Sequence, residues 1–255
     1  GACLAHRHRG RHVVVSQVEH PSVLESARYL ARHGFRVTEV PVDGTGLVAP
    51  EALAQVLDEE TVLVSVQMAN HEVGTLQPVA ELARLAHQAG ALFHTDAVQA
   101  VGLLDVDVRA LDCDLLSLSG HKFQGPKGTG VLYVRKGLEL ERLIHGGGQE
   151  RSRRAGTENV AGMVGLARAL ELAAQERDQV RHRLESLRDR LIQGVLETVP
   201  GARLTGHPSR RLPGLASFVF EGGVEGESLL MRLDLEGGAA SSGAACTPGA
   251  LEPPH

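Results

Sequence analysis

The sequence predicts an α/β protein, a mostly parallel β-sheet covered by helices, followed by a smaller α+β unit. Two patterns carry this expectation. Through the first half, short apolar stretches alternate with segments of helical periodicity, the signature of strands joined by crossover helices. In the second half that alternation gives way to one long apolar stripe at helical spacing, followed by a few shorter elements. The expected division places a large α/β domain over residues 1–174 and a small α+β domain over 175–255.

The elements follow in order. His12-Val13-Val14-Val15-Ser16 is the first clear strand, and a helix runs from about Pro21 to Arg32, with Pro21 at a position that tolerates its missing N–H. Arg36 to Val40 is the next strand, then a helix near Pro50 to Leu57, then the strand Val62 to Val66. A helix starting near Pro78 leads to Ala91-Leu92-Phe93-His94-Thr95-Asp96, an apolar strand that ends on a carboxylate. Leu115-Leu116-Ser117-Leu118 breaks at Gly120 and is followed by the strand Gly130 to Val134. Leu166, Leu170, Ala173, Val180, Leu184, Leu187, Leu191 and Val195 then mark one face of a long helix, read as the bridge into the smaller unit. That unit holds a strand over Leu215 to Phe220 and a helix around Glu227 to Leu235.

Composition removes several function classes. A net charge of -5 argues against a nucleic-acid surface. No run of about 18 apolar residues is present, so no membrane span is expected. The first residues carry no secretory pattern, and three cysteines, Cys3, Cys113 and Cys246, suit neither a disulfide framework nor a zinc site. A reduced cytoplasm is the expected compartment. His6, His8 and His12 lie close in sequence but lack the carboxylates or thiolates of a metal centre, and no metal is expected. Thirty glycines among 255 residues exceed average usage and gather after apolar segments, as in loops where the backbone approaches a ligand.

The chemistry concentrates on Lys122 and Asp96. Each stands just past the end of its own strand, where ligands of parallel sheets bind. Alone, the lysine fits an exposed turn and the aspartate a helix cap. Together they are the two protein groups that pyridoxal phosphate (PLP) requires: an amine to hold the aldehyde as a Schiff base, and a carboxylate to keep the pyridine nitrogen protonated. Glu19-His20-Pro21-Ser22 follows another strand end, where an imidazole could stack on a flat cofactor or move protons. Asn70-His71-Glu72-Val73-Gly74 offers amide and imidazole donors to a ring oxygen. The glycines, arginines and threonine between Ile144 and Asn159 suit phosphate contact. Cys246 lies in Ala240-Ser241-Ser242-Gly243-Ala244-Ala245-Cys246, among residues too small to pack it, and is expected to be an accessible nucleophile. Cys113, with apolar neighbours, reads as structural.

Glu19-His20, Asn70-His71-Glu72-Val73-Gly74, His94-Thr95-Asp96-Ala97-Val98-Gln99, Ser119-Gly120-His121-Lys122, His145-Gly146-Gly147-Gly148 and Ser241-Ser242-Gly243-Ala244-Ala245-Cys246 occur here in one order. In that order the chain resembles the cysteine desulfurases, PLP enzymes of the class V aminotransferase group and fold type I. The resemblance implies that Lys122 holds the cofactor, Asp96 pairs with the pyridinium nitrogen, His20 stacks on the ring and Gln99 contacts its 3-oxygen. It implies that Ser119 and His121 hold the phosphate, with Thr157 reaching the phosphate of a neighbouring subunit's cofactor in a homodimer. Cys246 would take the sulfur of L-cysteine as a persulfide, leaving alanine, and pass it to an acceptor or iron–sulfur scaffold protein. The readings that compete are a selenocysteine lyase, another class V aminotransferase or lyase, and a non-catalytic structural or sulfur-acceptor partner.

Two departures stand out. The family commonly has Asn-Asn-Glu where this chain has Asn70-His71-Glu72, so either Asn70 or His71 could make the ring contact. The family's upstream phosphate loop would precede Gly1, and its substrate-carboxylate arginine would follow His255. The chain therefore resembles an internal piece of the enzyme, and by itself is expected to be weak or inactive.

Overall fold

The computed structural model describes residues 1–222 and 225–243. Five parallel strands, β1 (His12–Ser16), β2 (Arg36–Val40), β3 (Thr61–Ser65), β4 (Leu92–Asp96) and β5 (Leu115–Ser119), lie in the order β2-β1-β3-β4-β5. The strand β6 (Gly130–Val134) completes the sheet antiparallel to β5. Side chains alternate across the sheet as the pleat requires. On one face, Val13, Val15 and Val62 pack with Cys3 of α1 (Ala2–Ala5) and Ala27 of α2 (Pro21–Arg32). On the other, Val14, Val64 and Phe93 pack against α3 (Pro50–Val56) and α4 (Val79–Gln88). Both faces of the central strands are thus covered, which is why they read as continuous apolar runs rather than as alternating ones.

His12 shows how a polar residue enters this core. It is fully buried at the start of β1. Its Nδ1 lies 2.8 Å from Thr61 Oγ1 and its Nε2 lies 2.9 Å from Thr38 Oγ1, so it ties three neighbouring strands together. Both ring nitrogens are used within the sheet.

After the four-residue helix α5 (Gln149–Ser152), α6 (Val160–Thr198) runs for 39 residues, roughly 58 Å. Its first turns pack on the large sheet through Leu166, Ala169 and Ala173. Further along, Leu184 lies over Gly214, where a Cβ would come 3.1 Å from its Cδ1, and Arg188 Nη1 donates to Leu212 O at 3.0 Å. The boundary expected at residue 174 falls inside this helix, which is itself the connection. Its stripe is only partly covered, since Leu187 and Leu191 remain exposed. Beyond it, β7 (Ala202–Leu204) and β8 (Phe218–Phe220) form an antiparallel pair, followed by α7 (Gly226–Leu235). The strand expected over Leu215 to Phe220 is shorter than its apolar pattern suggested. The Leu215 carbonyl accepts from Arg211 Nε at 3.3 Å, so this part of the segment is committed to a loop. The three residues of β7 were too few to produce a periodic signal.

Gly10 precedes β1 where the backbone passes directly against Glu60; a Cβ there would sit 2.2 Å from the Glu60 carbonyl oxygen. At Gly44 a Cβ would meet nothing within 4 Å. Gly10→Ala should therefore lose about 2 kcal/mol or more of stability, and Gly44→Ala should change it by no more than about 0.5 kcal/mol. Urea midpoints measure both, and equal midpoints for the two variants would contradict this packing.

Candidate active site

Four strand ends supply the site, and the loops leaving them are held by buried polar side chains. At the end of β1, the Val18 carbonyl accepts from Gln67 Nε2 and from Asn70 Nδ2. Glu19 is wholly buried beside it. Its Oε1 accepts from Ser16 Oγ at 2.5 Å and from the Gln67 amide at 2.7 Å, while Oε2 has no hydrogen-bond partner among the described residues. Burial pushes this carboxyl up to about 8, so at neutral pH it is largely uncharged.

His20 follows and caps α2, its Nδ1 accepting from the Ser22 amide at 3.1 Å. An amide can only donate, so the neutral ring carries its proton on Nε2. Burial first, and His71 next, hold His20 below the ordinary histidine value.

The loop after β3 is a tight hairpin. Asn70 Oδ1 accepts from the amides of Glu72 at 2.9 Å and Val73 at 2.8 Å, and the Asn70 amide pairs with Thr75 O at 2.9 Å. Gly74 closes the hairpin with a φ of 82°, a conformation that favours glycine. Asn70 is therefore buried and spent on shaping the turn. His71 meets His20 edge to face, with ring centroids 5.1 Å apart. Its Nε2 lies 3.4 Å from Glu72 Oε1 and is buried without a hydrogen bond among the described residues.

Asp96 ends β4. Its Oδ1 accepts from the Val98 amide at 2.9 Å. Burial raises its carboxyl above the ordinary aspartate value, and the nearby His20 and His71 pull it back. Gln99 is half-buried in the turn that follows. Two residues before Asp96, His94 sits between Ser65 Oγ at 2.7 Å and Ser117 Oγ at 2.8 Å, and burial lowers it to about 4.

The end of β5 winds into a 3-10 turn over Gly120–Phe123. Gly120 is required there, because a Cβ would come 2.5 Å from Thr129 Oγ1. The turn presents Ser119 Oγ 2.8 Å from His121 Nδ1 and leaves Lys122 exposed, within electrostatic reach of His20. Lys122 also borders a cleft of about 450 Å³ between Val101–Leu103 and α6, which the other candidates do not line.

Of the residues singled out from sequence, His20, His71, Asp96 and Lys122 come together electrostatically, with Asn70 behind them and Ser119 and His121 as a pair beside Lys122. Thr157 is exposed in the loop before α6. Cys246 lies outside the described residues. Sequence reasoning missed the supporting groups: Glu19 was seen only as the neighbour of His20, His94 only as part of the Asp96 motif, and Gln67 and Arg211 raised no signal. A polar residue inside an apolar strand, as at His94, was the one available hint.

The profile of the family described as Aminotransferase class-V matches residues 2–253. The chain is 49% identical over 255 residues to a protein named cysteine desulfurase IscS from Methanosarcina thermophila, covering 100% of this chain and 63% of that one. It is also 49% identical over 243 residues to one named cysteine desulfurase NifS from Azotobacter vinelandii, covering 95% and 60% respectively. A solved structure named NifS-like protein superposes with a TM-score of 0.89 at 40% identity, covering 94% of this chain and 66% of its own. The chain thus spans somewhat less than two thirds of the length of these relatives.

Two buried groups give opposite pH signatures. Glu19 has a folded value near 8 against an ordinary 4.5. Its contribution is complete below about 4.5 and is lost as pH rises through 8. Glu19→Gln keeps an acceptor for Ser16 and Gln67, so it should be more stable than the wild type at pH 9. His94, with a folded value near 4 against 6.5, stabilises above 6.5 and loses that contribution as pH falls toward 4. Urea titrations across pH check both, and an unchanged alkaline slope in Glu19→Gln would contradict the first.

Proposed function

This chain belongs to the class-V aminotransferase family, and we propose that it works as a PLP-dependent cysteine desulfurase, converting L-cysteine to L-alanine and moving the sulfur to Cys246. The observation that carries this reading is the grouping of His20, His71, Asp96 and Lys122 at neighbouring strand ends. Relatives named cysteine desulfurase, matched along the whole chain, supply the reaction class.

The residues suit the cofactor. Asp96 is a half-buried carboxyl raised by desolvation, a site completed by a cationic N–H such as that of a protonated pyridine. His71 Nε2, buried near Glu72 and without a hydrogen bond among the described residues, is a second polar atom for a ring substituent to meet. Because Asn70 is consumed by its hairpin, His71 is the better ring contact of the two. Lys122 would be the point of covalent attachment, Ser119 and His121 would take the phosphate together with Thr157 from a second copy, and Gln99 would reach the 3-oxygen. When bound, the protonated ring serves as an electron sink for the bonds around the substrate's α-carbon.

The chain's own groups then divide the remaining tasks. Lys122 would hold the cofactor and, when its amine is free, would carry protons at Nζ. His20, with Nδ1 held by the Ser22 amide, presents Nε2–H and so acts first as a donor; its depressed affinity for a second proton keeps it from adding positive charge beside Lys122. Cys246 attacks the substrate sulfur: an S–S bond forms, the C–S bond breaks, and the released electron pair stays with the substrate carbon until protonation gives alanine. Cys3 and Cys113 are unsuited to this step, since both are buried and pushed up to about 11.

The resulting persulfide would serve an acceptor protein that builds iron–sulfur clusters or other thio-cofactors. A homodimer suits the exposed apolar residues Leu143, Ile144, Val160, Met163 and Val164 near the start of α6. A reducing cytoplasm suits the free Cys3 and Cys113. Among the described residues no helix is long and apolar enough to cross a membrane.

With PLP added to the chain, borohydride reduction and peptide mapping should place the pyridoxyl mass on Lys122; a label on Lys127, or none, would overturn the assignment. Asp96→Ala should retain attachment and lose most turnover, with the ring no longer held protonated. Cys246→Ala should still take up cofactor yet release no sulfide. Near-normal sulfide release from that variant would favour another class V activity.

A further inference from the structure

Resting on that reading of the site, we infer that Arg211 is a positioning residue for the His71 hairpin, through which the C-terminal part of the chain sets the shape of the cofactor pocket. The guanidinium is buried, and all three of its hydrogen bonds go to backbone carbonyls. Nη2 donates to Val73 O at 3.2 Å and to Thr205 O at 3.1 Å, and Nε donates to Leu215 O at 3.3 Å. One planar fork therefore joins the hairpin after β3 to the two ends of a loop some 130 residues later in the chain.

The surrounding contacts show a built joint. The backbone pairs Leu76 N to Arg210 O at 2.9 Å and Leu212 N to Gly74 O at 2.8 Å lie on either side of Arg211. Thr75 Oγ1 donates to Thr45 O at 2.5 Å and accepts from the His207 amide at 2.9 Å. The two segments approach so closely that a Cβ on Gly206 would sit 2.4 Å from Val73 O, and one on Gly74 would press on Leu215 at 3.1 Å.

A buried guanidinium whose fork is shared among carbonyls fixes their relative positions in a way that a lysine, a point donor on a flexible stem, cannot reproduce. The hairpin it grips turns on Asn70 and carries His71, which faces His20. Arg211 itself is not proposed to touch cofactor or substrate. It acts by keeping Val73, and with it the Asn70 to Gly74 turn, in register with the ends of β1 and β4. Nη1 has no partner among the described residues, so two of the three guanidinium nitrogens carry the clamp.

The test uses the whole chain in two parts. In the absence of cofactor, Arg211→Lys and Arg211→Met should raise amide hydrogen exchange about tenfold or more at Glu72, Val73 and Leu212, with Val64 and Phe93 unchanged. If the methionine variant fails to fold, the lysine variant decides. Added PLP should bind Arg211→Lys at least about fivefold more weakly than the wild type, and this loss should vanish in a His71→Ala background, because the clamp acts through that residue. Unchanged exchange at Glu72 and Val73 would overturn the inference, as would an affinity loss that adds in full to that of His71→Ala. A wild-type chain that takes up no PLP would overturn the cofactor reading and the pocket half of the inference with it, while the exchange result would still decide whether Arg211 holds the hairpin.

Discussion

Loops that leave the carboxyl edge of a parallel sheet must satisfy their backbone groups away from their own strands, since the next strand begins on the opposite edge. In this protein buried side chains do that task. Gln67 and Asn70 both donate to the Val18 carbonyl, Glu19 accepts the Gln67 amide, and Gln77 bridges Val48 N and Gly46 O. The edge is therefore a hydrogen-bonded shelf on which the candidate site residues stand, and its loops are joined to one another. His20 and His71 meet at 5.1 Å because Val18, Gln67 and Asn70 are already joined beneath them.

The same shelf governs charge. Burial raises the proton affinity of two carboxyls, Glu19 and Asp96, and the Asp96 charge adds to the rise at Glu19. Among the described residues no cation stabilises the Glu19 anion, and burial pushes its carboxyl up to about 8. Asp96 is also raised by burial, but the Val98 amide and two nearby imidazoles pull it back. His94, kept neutral between two serines, adds no competing charge to the face on which Asp96 stands.

Much was legible in the sequence because it depends on short-range rules. The strands β1 to β6 and their helices follow from apolar runs, proline at helix starts and glycine breaks. Lys122 and Asp96 stand out because strand ends are the binding edge of such a sheet. Elements failed where long-range contacts overrode local pattern. Leu215 to Ser217 has the composition of a strand, yet the Leu215 carbonyl is claimed by Arg211. The choice between Asn70 and His71 was equally invisible, since both are polar residues in one turn and only the third dimension shows Asn70 consumed by Glu72, Val73 and Val18.

By itself, then, the sequence determined the layered α/β architecture, the order of its elements and the residue types available at each strand end, because periodicity and backbone preference act over a few positions. The tertiary structure decided which of those residues meet, which are spent on scaffolding, and that Glu19 and Asp96, chemically alike, have different neighbours acting on their carboxyls. It also brought Arg211 to a hairpin formed far earlier in the chain. Burial and proximity set these outcomes, and neither is a property of any short stretch of sequence.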